Sequence, residues 1–105
     1  MKLLTKEIRR KLPGLLAQDE KGDKAIAYVK FFTPWGKTSW FAIEFDGEDT
    51  FFGVVAGDYG YLEYESFSLP ELEAIKGPCG LQVERDKFFQ PMPLSRIKKS
   101  MERYC

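Results

Sequence analysis

Residues 38–56 read TSWFAIEFDGEDTFFGVVA, and this stretch decides the fold. From Thr38 to Phe45 the β-formers recur with a period of two. Ser39, Phe41, Ile43 and Phe45 fall on one face, and Trp40, Ala42 and Glu44 on the other. Thr50 to Ala56 is a second run of the same kind. Between them stands Asp46-Gly47-Glu48-Asp49. Asp-Gly is a strong hairpin signal, because glycine takes the positive φ that a tight turn requires. Two strands joined this closely commit the centre of the chain to an antiparallel sheet.

The flanks extend the same sheet. Ala25 to Thr33 is predicted as a strand, joined to Thr38 by the turn Pro34-Trp35-Gly36-Lys37. Gly57-Asp58-Tyr59-Gly60 predicts another turn, followed by a strand from Tyr61 to Phe67. Leu81 to Arg85 is a short fifth strand. Helices close the ends. Thr5 caps a helix whose stripe is Leu4, Ile8 and Leu12, and Pro13-Gly14 stops it. Residues 18–24, QDEKGDK, form a polar loop. Ser68-Leu69-Pro70-Glu71 is a capping box that starts a helix with Leu69, Leu72 and Ile75 inward, ending at Gly77-Pro78. Residues 88–93 are extended by their prolines, and Leu94 to Tyr104 is a C-terminal helix. The expected architecture is α+β in a single domain, residues 1–105. It is an antiparallel meander sheet of about four to five strands, packed with an N-terminal helix, one short helix after the fourth strand and a C-terminal helix.

Charge is segregated along this frame. The 16 basic and 16 acidic residues sum to zero. Residues 1–37 carry +5, residues 38–75 carry −9 with no Lys or Arg, and residues 76–105 carry +4. A neutral total argues against a dedicated nucleic-acid binder. Cys79 and Cys105 make neither a disulfide framework nor a zinc spacing, so a reducing cytoplasm is the expected location. No signal-peptide core or membrane-length apolar run is present, so no membrane partner is expected.

The chain has no histidine, which removes the commonest general base and the Ser–His and Cys–His pairs. No catalytic residue and no cofactor is expected. Three constellations remain. Glu44, Asp46, Glu48 and Asp49 are oxygen donors of the kind hard cations take, although a solvated hairpin tip explains them more simply. Arg9, Arg10 and Lys11 on the first helix and Lys98 and Lys99 on the last could meet phosphate. Trp35, Trp40, Tyr59 and Tyr61 at or near turns, with the acidic tip Asp46, Glu48 and Asp49, could contact a protein partner. Cys79 reads as a small buried hydrophobe.

The segments LLTKEIRRKLPGL, YVKFFTPWG, EFDGEDTFFGVV, ESFSLPELEAIKGP and GLQVERDKFFQPMPLSRI follow one another in order. Together, from Leu3 to Ile97, they resemble the domain of unknown function 2958 family. The resemblance implies a small bacterial protein of plasmids, integrative elements and phages, with a mobile-element accessory role. It brings no established activity and no catalytic residues.

The leading expectation is a non-enzymatic accessory protein that binds another protein. In one version its acidic middle imitates DNA phosphates to block a defence system. The alternatives are nucleic-acid binding through the basic terminal helices and a carboxylate-based divalent-metal enzyme.

Overall fold

The computed structural model describes residues 2–57 and 61–102, with side chains through residue 100. The first helix, α1, spans Lys6–Lys11. Thr5 caps it by accepting the Ile8 N–H on its hydroxyl at 3.2 Å. Leu4 and Leu12 are buried and Ile8 packs beside them, as the four-residue spacing predicts. Residues 15–18 turn, and Asp19–Lys24 continue in 3-10 geometry, broken at Gly22 with φ +52°.

The strand expected from Ala25 to Thr33 is two strands, β1 (Ile26–Ala27) and β2 (Val29–Phe32). They belong to different sheets. β1 pairs antiparallel with a later strand, β7 (Met92–Pro93). β2 pairs with β3 (Ser39–Phe45), which pairs with β4 (Thr50–Ala56), which pairs with β5 (Leu62–Ser68). The fifth strand of this sheet, β6, is shorter than expected, only Glu84–Arg85, and it docks on the far side of β2. The order is therefore β5-β4-β3-β2-β6, antiparallel throughout. The turn read at 57–60 lies outside the described residues after Gly57.

Ser68 ends β5 and caps α2 (Leu69–Ala74), accepting the Glu71 N–H at 3.1 Å. Pro70 sits in the first turn, where its missing N–H costs nothing. Leu72 is buried, with Leu69 and Ile75 packed beside it. The C-terminal helix α3 is Leu94–Glu102 within the described residues, and it buries Leu94 and Ile97. Residues 103–105, with Cys105, lie outside the description.

Each face of the sheet carries its own core. One face collects Phe31, Phe45, Phe51 and Phe67 with Leu3, Leu4, Leu12, Leu72 and Val83. Phe51 is the hub, with ring centroids of Phe31, Phe45 and Phe67 at 5.4, 4.7 and 5.5 Å. Burying one phenyl ring contributes roughly 1.5–3 kcal/mol, so this quartet is a principal part of the core's stability. The other face collects Phe41, Ile43, Val54 and Ala56 with Ala25, Ala27, Leu94 and Ile97. α1 and α2 thus pack on one side of the sheet, and α3 and the β1–β7 ribbon on the other.

Cross-strand pairing corrects the alternation read for β3. Ala42 pairs with Gly53 but Glu44 pairs with Phe52, so one extra residue, Ile43, is inserted between them. This bulge turns Glu44 to the side of Ile43 and Phe41, and sends Phe45 to the opposite core. Gly53 lies beside the irregularity for a steric reason. A Cβ there would stand 1.9 Å from the Phe41 carbonyl oxygen.

Candidate functional site

Glu44 would be the odd residue in the apolar run WFAIEF if its side chain had no polar partners. It is 2% exposed. Its Oε1 accepts the Leu16 N–H at 2.9 Å and its Oε2 the Gln18 N–H at 2.8 Å. Gln18, 3% exposed, extends the latch. Its Nε2 donates to the carbonyls of Ile43 at 2.7 Å and Ile26 at 3.0 Å, and its Oε1 accepts the Ile26 N–H at 2.7 Å. The Phe45 N–H donates to the Pro13 carbonyl at 2.9 Å. Buried polar groups require partners of this kind, and here the partners clamp the 14–18 loop onto the bulged strand.

The clamped loop forms a wall. Leu16 is held at φ +68°, an uncommon conformation for leucine, and is 75% exposed. Facing it across the sheet surface are Phe52, Tyr64 and Ser66, with Ile43 and Glu44 between. Together they enclose an open groove of about 610 Å³. Phe52 and Tyr64 stack with centroids 6.1 Å apart. The Lys98 ammonium lies 5.7 Å above the Tyr64 ring and pairs with Asp23. Its hydrogen bond to the Asp23 carboxylate holds the Lys98 pKa above the ordinary lysine value.

The groove runs beside the end of the sheet. β5 is a terminal strand, and Glu63, Tyr64, Glu65 and Ser66 are all exposed. The Leu69 N–H donates to the Asp49 carbonyl and the Gly57 N–H to the Tyr61 carbonyl. Antiparallel alternation then turns the backbone groups of Phe67, Glu65 and Glu63 toward β4. Those of Leu62, Tyr64 and Ser66 point out from the edge. The side chains of the same two sets lie on opposite faces of the sheet. Tyr64 and Ser66 share the groove face, while Glu63 and Glu65 lie on the opposite face with the exposed Tyr61 and Val55.

Of the residues singled out from the sequence, Glu44 lies in the groove and Lys98 over its Tyr64, and the others are placed elsewhere. Asp46 Oδ1 accepts the N–H groups of Glu48, Asp49 and Thr50 at 2.8, 3.0 and 3.1 Å. These bonds, that from Glu48 foremost, hold the Asp46 pKa below its ordinary 3.8. The carboxylate therefore builds the turn, with Gly47 at φ +91°. Glu44 points into the groove side of the sheet and is buried, whereas Asp46, Glu48 and Asp49 are exposed at the tip. Among the described residues no group of three or more potential ligands is placed to hold a metal ion.

The basic helices lie on opposite faces of the sheet, so Arg9, Arg10 and Lys11 share no surface with Lys98 and Lys99. Arg9 also donates to the Gly47 carbonyl and covers the Phe45 ring at 5.6 Å, and Lys11 pairs with Glu7. Trp35 and Trp40 are half-buried against the Phe51 core. Tyr61 is 72% exposed, and Tyr59 lies outside the described residues. Cys79 is exposed at φ +57°, which corrects its reading as a buried hydrophobe: it occupies a turn after Pro78 rather than the core. Phe88 stands 90% exposed on the 86–89 turn.

Sequence reasoning missed Gln18, Leu16, Ser66 and the carboxylates of β5. The signal for the strand was present as Glu63-Tyr64-Glu65-Ser66, polar and aromatic residues with no apolar face. For Glu44 it was a carboxylate inside an otherwise apolar strand.

Fold and site define an α+β protein whose antiparallel sheet ends in an acidic strand that pairs with no further strand among the described residues, beside an apolar groove. The chain belongs to the family described as protein of unknown function (DUF2958), whose model matches residues 3–103. Neither a curated protein nor a solved structure matches it. No helix of the described residues is long and apolar enough to cross a membrane.

Proposed function

We propose that this protein is a non-enzymatic binding module that takes up an extended, basic segment of a partner protein along β5. One observation carries the reading: a seven-residue terminal strand presents Glu63 and Glu65 in a region, residues 38–75, that holds no Lys or Arg. Strand addition to a sheet edge draws its affinity from main-chain hydrogen bonds and its selectivity from alternate side chains. The outward backbone groups of Tyr64 and Ser66 supply the first, and the carboxylates the second.

Charge also restricts the partner. Two copies pairing antiparallel through β5, centred on Glu63, Tyr64 or Glu65, would set Glu opposite Glu, which is unfavourable. A strand with lysine or arginine at alternate positions meets opposite charge instead. The mobile-element accessory role implied by the sequence resemblance fits a small adaptor of this kind. Nucleic-acid binding is less favoured, because the two basic helices do not form one surface.

The test is fluorescence anisotropy with extended peptides carrying alternate lysines, over a salt series. Binding is expected to weaken with salt and to be lost in Glu63→Lys with Glu65→Lys. Amide shifts on titration should centre on Tyr64 and Ser66. Indifference to both salt and charge reversal overturns the reading, as does tighter binding to duplex DNA.

A further inference from the structure

We infer that the groove beside β5 is a specificity pocket for one large apolar side chain of the added strand, the residue that lies opposite Ser66. This inference rests on the strand-addition reading and deepens it. Ser66 is the small residue on the β5 side of the groove, directly opposite Phe52, which stacks on Tyr64. A neighbouring strand lies about 4.8 Å away, so a residue opposite Ser66 sits about 9.6 Å from Phe52, two strand spacings off. A phenylalanine or tryptophan leaning over the serine extends across that gap toward Phe52, into the groove that Leu16 lines on its far side. A bulky residue at 66 would close it.

Three observations give the occupant its chemistry. Leu15, Leu16 and Tyr64 are exposed apolar surface gathered in one place, which isolated surface hydrophobes are not. Of the two carboxylates that line the groove, Asp19 is exposed to water and Glu44 already holds the Leu16 and Gln18 N–H groups, and the Lys98 ammonium over Tyr64 is paired with Asp23, so the occupant needs no charge to enter. On the opposite face, Glu65 and Glu63 alternate with Ser66 and Tyr64 and attract cations. An antiparallel strand therefore reads, from its N-terminal side, apolar anchor, basic, any residue, basic. The anchor meets Ser66, and the two basic residues meet Glu65 and Glu63. The wall is built beforehand by the Glu44–Gln18 latch, so little ordering opposes entry of the anchor.

The experiment compares four blocked nine-residue peptides on the intact protein by anisotropy at low salt. One carries Phe-Lys-Thr-Lys, the second Ala-Lys-Thr-Lys, the third the reversed order Lys-Thr-Lys-Phe, and the fourth Phe-Glu-Thr-Glu. The Phe-Lys-Thr-Lys peptide is expected to bind about 10- to 100-fold more tightly than its alanine counterpart, the range expected for burying one large apolar side chain. In Ser66→Leu the advantage of the phenylalanine peptide over the alanine peptide should vanish. Equal binding of the phenylalanine and alanine peptides to the unaltered protein overturns the pocket and leaves strand addition standing. Equal or tighter binding of the reversed peptide overturns the antiparallel assignment. Failure of every basic peptide, or equal binding of the acidic one, overturns strand addition and the pocket with it. The peptide comparison uses the unaltered protein, so it decides for or against the pocket even where Ser66→Leu fails to fold.

Discussion

Glu44 and Gln18 are 26 residues apart, and the carboxylate Oε2 of the first accepts the backbone N–H of the second at 2.8 Å in the buried interior. With the companion bond from Leu16 and the Gln18 side-chain bonds to Ile26 and Ile43, this contact fixes the turn onto the sheet. Removing the acceptor strands two donors. Each buried, unsatisfied N–H costs about 1–3 kcal/mol. Glu44→Leu is therefore expected to lose about 2–5 kcal/mol in urea unfolding, the Leu16 bond being only part-buried. Glu44→Gln keeps one good acceptor and should lose less. Hydrogen exchange at Leu16 and Gln18 should accelerate in both, ahead of the Phe51 core.

Gly53 tests the other consequence of the bulge. Its missing Cβ leaves room for the Phe41 carbonyl, which is backbone and cannot swing aside. Gly53→Ala is expected to cost more than about 4 kcal/mol, among the largest single effects a small domain shows. Gly47 provides the comparison. No atom lies within 4 Å of a Cβ there, so Gly47→Ala meets only the strain of φ +91°, about 1 kcal/mol. Circular dichroism melts of the two variants, made side by side, separate crowding from backbone strain.

These two glycines also show what the sequence made legible. The hairpin of residues 38–56, the caps at Thr5 and Ser68 and the fold class could be read, because turn chemistry and period-two patterning are local. The bulge could not. Alternation in SWFAIEF predicts Phe45 beside Phe41 and Ile43, and only the pairing with Phe52 and Phe51 shows the inserted residue. Nor could the edge be read. A linear meander makes Leu81–Arg85 the neighbour of the fourth strand. In the structure Glu84–Arg85 returns to β2, and among the described residues β5 is the end strand. Contacts such as Glu44 with Gln18 join distant parts of the chain through packing, and no short-range pattern encodes them. The acidic tip, by contrast, was legible as a turn, and the structure gives its carboxylate a backbone role.

That role makes a pH prediction. The folded pKa of Asp46 lies below its ordinary 3.8, through hydrogen bonds from Glu48, Thr50 and Asp49. A depressed carboxylate pKa stabilises the fold fully above the unfolded value and loses that contribution as pH falls through the folded one. Asp46→Ala should therefore have a lower urea midpoint than the unaltered protein at pH 7 and at pH 5. The difference should shrink below about pH 4, as the wild-type carboxyl protonates. A gap of constant size down to about pH 2.5 would show that the side chain acts by shape alone.

Leu16 separates stability from recognition. Leucine at φ +68° stores strain of about 1–2 kcal/mol, and glycine adopts this conformation freely. Its side chain is 75% exposed, so replacing it removes little buried surface. The greater freedom of glycine in the unfolded chain offsets part of the relief. Leu16→Gly is therefore expected to melt at the same temperature or up to a few degrees higher, with a gain of about 0–1 kcal/mol. If the residue is kept for the wall it contributes to the groove, the same variant should bind the Phe-Lys-Thr-Lys peptide several-fold more weakly and the alanine peptide unchanged. Stability and binding would then move in opposite directions in one substitution, the pattern expected where strain is retained at a functional site. A variant that loses stability without loss of peptide discrimination would place Leu16 in the scaffold instead.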